Sequence, residues 1–316
     1  MLKVFINGSA GTTGLRLQER MRERRDVTLI AISDENRKNP DAIRECMSQS
    51  DITFLCLPDD AAREAVALAE GLSCRILDTS TAHRTLDQWA YGFPELSGSQ
   101  RTEISKSARV AVPGCHASGF ISLLNPLVSA GFIPCSYPVT CLSLTGYSGA
   151  GKSGIEQYES ERTNPLLNSP REYGLTQAHK HLPEMVKICA LDSTPVFMPV
   201  IGDFYSGMLV TVPIHAELLH KQYKLDDIKN VLASHYADSK LITVIDTCDE
   251  DMLAANAMAG NDNLLIYVTG TDDRVMLHAL FDNLGKGASG AALQCFNIMT
   301  GADETTGLCI GAALKI

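Results

Sequence analysis

Between residues 3 and 80 the chain alternates short apolar runs with amphipathic stretches. Strands are expected over 3–7, 27–33, 51–58 and 74–80, and helices over 13–24, 41–48 and 61–72. Apolar strands of this length, buried on both faces and joined by helical crossovers, close as a parallel, doubly wound α/β sheet. A further strand at 109–112 ends on Pro113-Gly114. The pattern then changes. Strand-like runs at 139–145, 196–200, 208–213, 241–246, 264–269 and 274–281 come with few regular helices, which predicts an α+β second domain on a mostly antiparallel sheet. Residues 153–191 are polar and turn-rich, as an excursion or lid would be, and 285–299 is a small-residue-rich helical segment.

Gly8-Ser9-Ala10-Gly11-Thr12-Thr13-Gly14 follows the first strand and opens the first helix. Glycines at such a turn let backbone N–H groups approach a pyrophosphate, and the helix dipole favours its negative charge. The spacing is GxxGxxG rather than the commoner GxGxxG, and a tight turn with no ligand is the plainer account of the glycines alone. Its place inside a βαβ pattern favours dinucleotide binding. Roughly 20 residues further on, where the ribose of a dinucleotide is held, the chain reads Ser33-Asp34-Glu35-Asn36-Arg37-Lys38. Asp34 suits NAD, whereas Ser33, Arg37 and Lys38 suit the 2′-phosphate of NADP. A solvated turn explains the charges equally well.

Cys115 stands in Val112-Pro-Gly-Cys-His-Ala-Ser-Gly119, between a strand end and an apolar helix start. A helix N-terminus stabilises a thiolate and makes it a nucleophile. Its proton partner is sought among His83, His116, His179 and His181. The segment His179-Lys-His181-Leu-Pro-Glu184 is the best placed, because Pro183 fixes the turn and Glu184 is positioned to orient an imidazole. Gly146-Tyr-Ser-Gly-Ala-Gly151-Lys152-Ser153 matches the phosphate-loop pattern of NTPases, with Asp246 as a possible magnesium ligand. That rival reading leaves the first glycine turn and Cys115 without a task.

Composition removes other classes. The 316 residues exceed what one core usually supports, so two domains are expected. A net charge of -10 argues against a nucleic-acid partner, and the basic run at residues 20–25 reads as a solvated helix face. No apolar run approaches the ~18 residues of a membrane span, and no signal-peptide pattern opens the chain. Ten cysteines include no CxxC pair, and Cys56 and Cys74 read as small buried hydrophobes. Such thiols suit a reducing cytoplasm and give no metal site.

Six motifs stand in order along the chain: the Gly8–Gly14 turn, Asp78-Thr-Ser-Thr-Ala-His-Arg84, Pro113-Gly-Cys115, Ser148-Gly-Ala-Gly151-Lys152, His181-Leu-Pro-Glu184 and Asn283-Leu-Gly-Lys-Gly-Ala-Ser-Gly-Ala-Ala-Leu-Gln294. Taken together they resemble those of N-acetyl-gamma-glutamyl-phosphate reductases, the arginine-biosynthesis members of the semialdehyde dehydrogenase group. The resemblance spans nearly the whole chain. It implies a Rossmann domain over 1–114, completed by a C-terminal helix in 285–316, and a substrate domain of glyceraldehyde-phosphate-dehydrogenase type over 115–284. It also implies NADP(H) as cofactor and reduction of an acyl phosphate through a Cys115 thioester, with His181 as general acid and base. Arg84 and Ser118 are then implied phosphate or substrate contacts. Gly8, Ser9, Gly11, Thr12, Thr13, Gly14, Ser33, Arg37, Ser80, Gly149, Gly151 and Asn283 are implied cofactor contacts. Arg162 is a candidate for the substrate carboxylate by its place after the Lys152 loop. His116 and Ala117 stand where longer members carry an aromatic and a proline, and His83 replaces the usual aromatic before Arg84. A small-molecule substrate and a homodimer or homotetramer are expected. The alternatives are an aspartate-semialdehyde dehydrogenase, the phosphate-loop NTPase, and a nucleotide sensor that turns nothing over.

Overall fold

The early apolar runs form strands β1 (Leu2–Asn7), β2 (Val27–Ile30), β3 (Ile52–Leu55) and β4 (Arg75–Asp78) of a computed structural model that describes residues 1–9, 11–160, 164–246 and 251–313. With β5 (Ala90–Tyr91) and β6 (Arg109–Ala111) they make a six-stranded sheet, order β2-β1-β3-β4-β6-β5, in which every pairing is parallel. Successive side chains leave opposite faces. Val4, Ile6 and Phe54 join Leu17 and Met21 of helix Thr12–Arg22 on one side, while Phe5, Leu55 and Ile76 join Ile43, Met47 and Ala65 on the other. The first cluster also takes Leu293 and Phe296 of helix Gly290–Thr300, so this late helix completes the unit. The unit comprises Met1–Gly114 and Ala288–Leu308.

One expectation fails here. Arg24 is not on a solvated face: it is buried, pairs with Asp26 at 2.6 Å, hydrogen-bonds Asn297 and lies 5.1 Å from the Phe296 ring centroid. Its stem covers apolar surface while its charge keeps two polar partners.

The second unit, Cys115–Gly287 with Cys309–Ile316, holds a seven-stranded sheet. Its strands are β7 (Thr140–Gly146), β8 (Arg171–Glu172), β9 (Val196–Gly202), β10 (Met208–His215), β11 (Ile242–Val244), β12 (Leu264–Gly270) and β13 (Arg274–Phe281), in the order β11-β12-β13-β10-β7-β9-β8. The sheet is mixed, since β7 with β9 and β11 with β12 pair parallel and the rest antiparallel. Helix Cys115–Ser129 is apolar almost all round and packs on β10 and β13. Gly119 allows this approach, because a Cβ there would stand 2.5 Å from Val210 Cγ2. Pro126 lies inside the same helix and has no N–H for the Ser122 carbonyl. The Tyr236 hydroxyl supplies the missing donor at 2.8 Å.

Residues 153–191 are not a detached lid. The described part carries helix Gly151–Glu159, edge strand β8 and helix Leu182–Ile188, with Tyr147, Tyr158, Leu167 and Ile201 in one cluster. After residue 308 the chain enters the second unit, where the Asp262 carboxylate accepts the Cys309 N–H at 2.8 Å.

Candidate active site

Cys115 is the first residue of its helix, directly after the Pro113-Gly114 turn, and it is half-buried. Gly287 passes so close that a Cβ on it would lie 2.8 Å from the Cys115 Cβ. The glycine at 287 is thus a steric requirement of the thiol's position.

Three imidazoles gather around the next residue, His116. His116 stands 5.3 Å from His179 and 5.5 Å from His181, centroid to centroid, and the latter two are 4.8 Å apart. His181 stands at the N-terminus of helix Leu182–Ile188 and is buried, and its backbone N–H donates to Nδ1 of His179 at 3.2 Å. That bond makes Nδ1 the acceptor and leaves the proton of neutral His179 on Nε2. Burial, assisted by the charge of Lys180, pushes His179 down to about 4. Burial, with smaller contributions from His179 and Lys180, pushes His116 down to about 3. Both rings are therefore neutral at neutral pH.

A histidine that is neutral in the fold but protonates readily when unfolded weakens the fold as pH falls. The contribution of His116 is complete above its ordinary value of 6.5 and is lost progressively down to about 3. At pH 5 the loss from this one group is about 2 kcal/mol. Urea unfolding of the wild type and His116→Phe at pH 7, 6 and 5 measures it. The variant has the shallower slope of stability against pH, and equal slopes would contradict the assignment.

The loop at the end of β7 forms a second constellation. Asn283 bridges it, accepting the Gly207 N–H on Oδ1 at 2.9 Å and donating from Nδ2 to Ser148 Oγ at 3.0 Å. A Cβ on Gly149 would lie 3.6 Å from the Asn283 amide nitrogen, and Gly151 turns the chain at φ +70° into the next helix. The phosphate-loop reading is overturned here. The N–H groups of Gly146, Tyr147 and Ser148 donate to the carbonyls of Gly207, Phe204 and Tyr205 at 2.9–3.0 Å, so they are not available to cradle phosphate. Lys152 points into solvent, and Asp246 is exposed and paired with Lys229 at 2.9 Å.

In the first unit, Gly8 adopts φ +90°, and a Cβ there would press into the Cys56 carbonyl. A Cβ on Gly14 would meet the Gly8 carbonyl and would lie 2.9 Å from the Ser9 Cα, whereas one on Gly11 would meet nothing closer than 3.6 Å. Helix Thr12–Arg22 starts with no acidic residue in its first turn. These glycines, beside a helix N-terminus, fit the pyrophosphate of a dinucleotide. Past the end of β2, Ser33, Arg37 and Lys38 are exposed, Arg37 standing 4.0 Å from Asp34 and Ser33 Oγ accepting from Asn36 at 3.1 Å.

At the end of β4 the buried Asp78 carboxylate accepts the Ser80 N–H at 2.9 Å and hydroxyl at 2.6 Å, and His83 Nδ1 lies 2.6 Å away. His83 also stacks on Trp89 with centroids 4.3 Å apart, so it keeps the packing role of the aromatic it replaces. Arg84 is buried and donates from Nε to Val112 O at 2.8 Å and from Nη2 to Thr79 O at 2.9 Å. It braces the strand end that leads into the Cys115 turn. Ser118, one helical turn after Cys115, is 0% exposed, and its hydroxyl has no hydrogen-bond partner among the described residues. Arg162 lies outside the described residues.

The semialdehyde dehydrogenase NAD binding domain model matches residues 3–106, and the semialdehyde dehydrogenase dimerisation domain model matches 115–283. The N-acetyl-gamma-glutamyl-phosphate reductase of Brucella ovis is 44% identical over 307 residues, spanning 95% of this chain and 99% of its own. That of Sinorhizobium medicae is 43% identical over the same shares. The chain belongs to the N-acetyl-gamma-glutamyl-phosphate reductase family. The reductase chain also shares its fold with aspartate semialdehyde dehydrogenase II of Vibrio cholerae, with a TM-score of 0.72 and 17% identity over 95% of this chain and 98% of that one. At that identity the likeness is one of fold alone.

Around the reductase thiol, reading the sequence overlooks Ser143 and Tyr173, which hold the two ring nitrogens of His116. Neither lies in a recognisable motif. The only local signal is His116 itself, a polar residue in an apolar helix that must find partners to be buried.

Proposed function

We propose that this protein reduces N-acetyl-gamma-glutamyl phosphate to N-acetylglutamate 5-semialdehyde and phosphate, with NADPH as reductant. Full-length identity of 43–44% to reductases of that name carries the reading. When bound, NADPH supplies the hydride. The rest of the chemistry is assigned to the protein's own residues. The Cys115 thiolate attacks the acyl carbon, the carbon–oxygen bond to phosphate breaks, and a thioester forms. A thioester keeps the acyl carbon activated for reduction better than a serine ester does. After hydride transfer, His181 holds a proton against the new oxygen and takes it back as the carbon–sulfur bond breaks. This frees the aldehyde and restores the thiolate.

Ser118 donates its otherwise unpartnered hydroxyl to substrate or phosphate, and Arg84 acts as a fixed cation for the phosphate. The Gly8–Gly14 turn with Ser9, Thr12 and Thr13 holds the pyrophosphate. Ser33, Arg37 and Lys38 favour NADP over NAD, and Ser80, Gly149, Gly151 and Asn283 contact the remainder of the cofactor. The enzyme works in the cytoplasm as a homodimer or homotetramer. Leu142, Val196, Met198 and Met276 support assembly: they lie on the sheet face opposite Ser143 and Val210, and three of them are exposed apolar side chains. No helix among the described residues is long and apolar enough to cross a membrane.

The test is NADP reduction by N-acetylglutamate semialdehyde, with and without phosphate, beside aspartate semialdehyde. Phosphate-dependent turnover of the acetylated substrate is expected, and a preference for aspartate semialdehyde would overturn the substrate assignment. In the same assay His181→Asn lowers kcat by about 10²–10⁴-fold, the range of a lost general acid. A loss below about tenfold would remove His181 from that role.

A further inference from the structure

His116 follows the nucleophile directly, and both of its ring nitrogens are engaged. Nδ1 lies 2.6 Å from Ser143 Oγ and Nε2 lies 2.7 Å from the Tyr173 hydroxyl, within a site where His116 is only 3% exposed. A neutral imidazole has one N–H and one lone pair, so these contacts admit two proton arrangements. In the first, Nδ1–H donates to Ser143 and the phenol donates to Nε2. In the second, the Ser143 hydroxyl donates to Nδ1, Nε2–H donates to the phenol oxygen, and the phenol's own proton turns away from His116. Each arrangement satisfies both ring nitrogens; the two differ in the His116 tautomer and in the rotation of the hydroxyl protons, and each hydroxyl keeps its own proton.

The two hydroxyls have different surroundings. Ser143 is fully buried on β7. Tyr173 follows β8, is half-buried, and lies 5.8 Å from the His179 ring. Burial and the negative charge of the Cys115 thiolate both raise its phenol above the ordinary range, so it stays protonated and within electrostatic reach of the sulfur. A charge-neutral donor near the nucleophile suits an oxygen that becomes anionic only during reaction.

We propose that Tyr173 is a catalytic hydrogen-bond donor to the oxygen that becomes negative when Cys115 attacks, and that His116 is the positioning residue that turns the phenol proton toward it. Ser143 anchors the far end of this hydrogen-bonded chain. The inference rests on the thioester reading above. Tyr173 keeps its proton throughout, and the proton that is exchanged belongs to His181.

The experiment uses the full-length enzyme, with semialdehyde oxidation as one readout and the rate of Cys115 alkylation by iodoacetamide across pH as the other. Tyr173→Phe is expected to lower kcat by about 10²-fold with little change in KM, the effect of removing an oxyanion donor. Its alkylation profile stays within about twofold of the wild type, since thiolate formation does not need the phenol. His116→Phe shows a comparable loss of kcat, but adds almost nothing in a Tyr173→Phe background, because it acts through that residue. His116→Gln, which keeps both a donor and an acceptor, recovers part of the activity and covers the case in which the Phe variant fails to fold. Tyr173→Phe with kcat within about threefold of wild type would overturn the proposal, as would losses that multiply in the double variant. A wild type inactive on N-acetylglutamate semialdehyde would overturn the thioester reading as well, which distinguishes the two failures.

Discussion

Cys115→Ser removes turnover by at least about 10⁴-fold, the scale on which loss of a covalent nucleophile registers. The residue heads an apolar helix, and the Gly287 backbone packs directly beside its Cβ. Serine is close in size, so fold and cofactor affinity remain those of the wild type while the acyl transfer step fails. Phosphate-dependent NADP reduction measures the loss, and NADP binding to the variant controls for folding. Residual activity within about tenfold of wild type would mean that the acyl group is not carried on this sulfur.

Gly8→Ala is expected to cost about 3 kcal/mol or more and to abolish measurable NADP affinity. Two penalties coincide at this position. At φ +90° an L side chain costs roughly 1–2 kcal/mol, and the new Cβ would collide with the carbonyl of Cys56, which directly follows β3 and whose N–H is bonded to Asn7 O at 2.8 Å. Moving that carbonyl disturbs the neighbouring strand. Gly11→Ala is the natural contrast, because its Cβ would meet only ordinary contacts at 3.6 Å and beyond. Thermal unfolding with NADP titration separates them. Gly8→Ala lowers Tm by about 6–12 °C, while Gly11→Ala stays within about 3 °C. Equal stability of the two variants would contradict the cradle geometry.

The first unit was legible because its signals are local. Strands β1 to β4 each announce themselves as apolar runs, and the Gly8 turn sits between one strand and the next helix. The boundaries shift by a few residues where polar turns begin early: the second strand stops at Ile30 rather than reaching residue 33, because the exposed 33–38 turn has no partner strand. The second unit was less readable, since its order depends on long-range pairing. Nothing near Ile242 indicates that it pairs parallel with Leu264, nor does anything near Thr140 point to Val196. Helix Leu225–His235 is also not among the elements read from sequence.

The site divides along the same line. Cys115 and His181 each occupy short patterns with a physical meaning, a helix start and a turn fixed by proline. The bond between Asn283 and Ser148 spans 135 positions, and that between His116 and Tyr173 spans 57. Such pairs are visible only once the sheet has folded. The NTPase pattern at 146–153 failed for a related reason. A regular expression does not record where backbone N–H groups point, and here three of them are bonded to the 204–207 segment.

The central claim is the Cys115 thioester, and its most direct test is the mass of the protein after incubation with N-acetyl-gamma-glutamyl phosphate in the absence of NADPH. The account predicts release of phosphate and one N-acetylglutamyl group on the peptide containing Cys115, lost on hydroxylamine treatment and absent from Cys115→Ser. An enzyme that turns over with NADPH yet acquires no acyl group, or acquires it on another residue, would contradict the account.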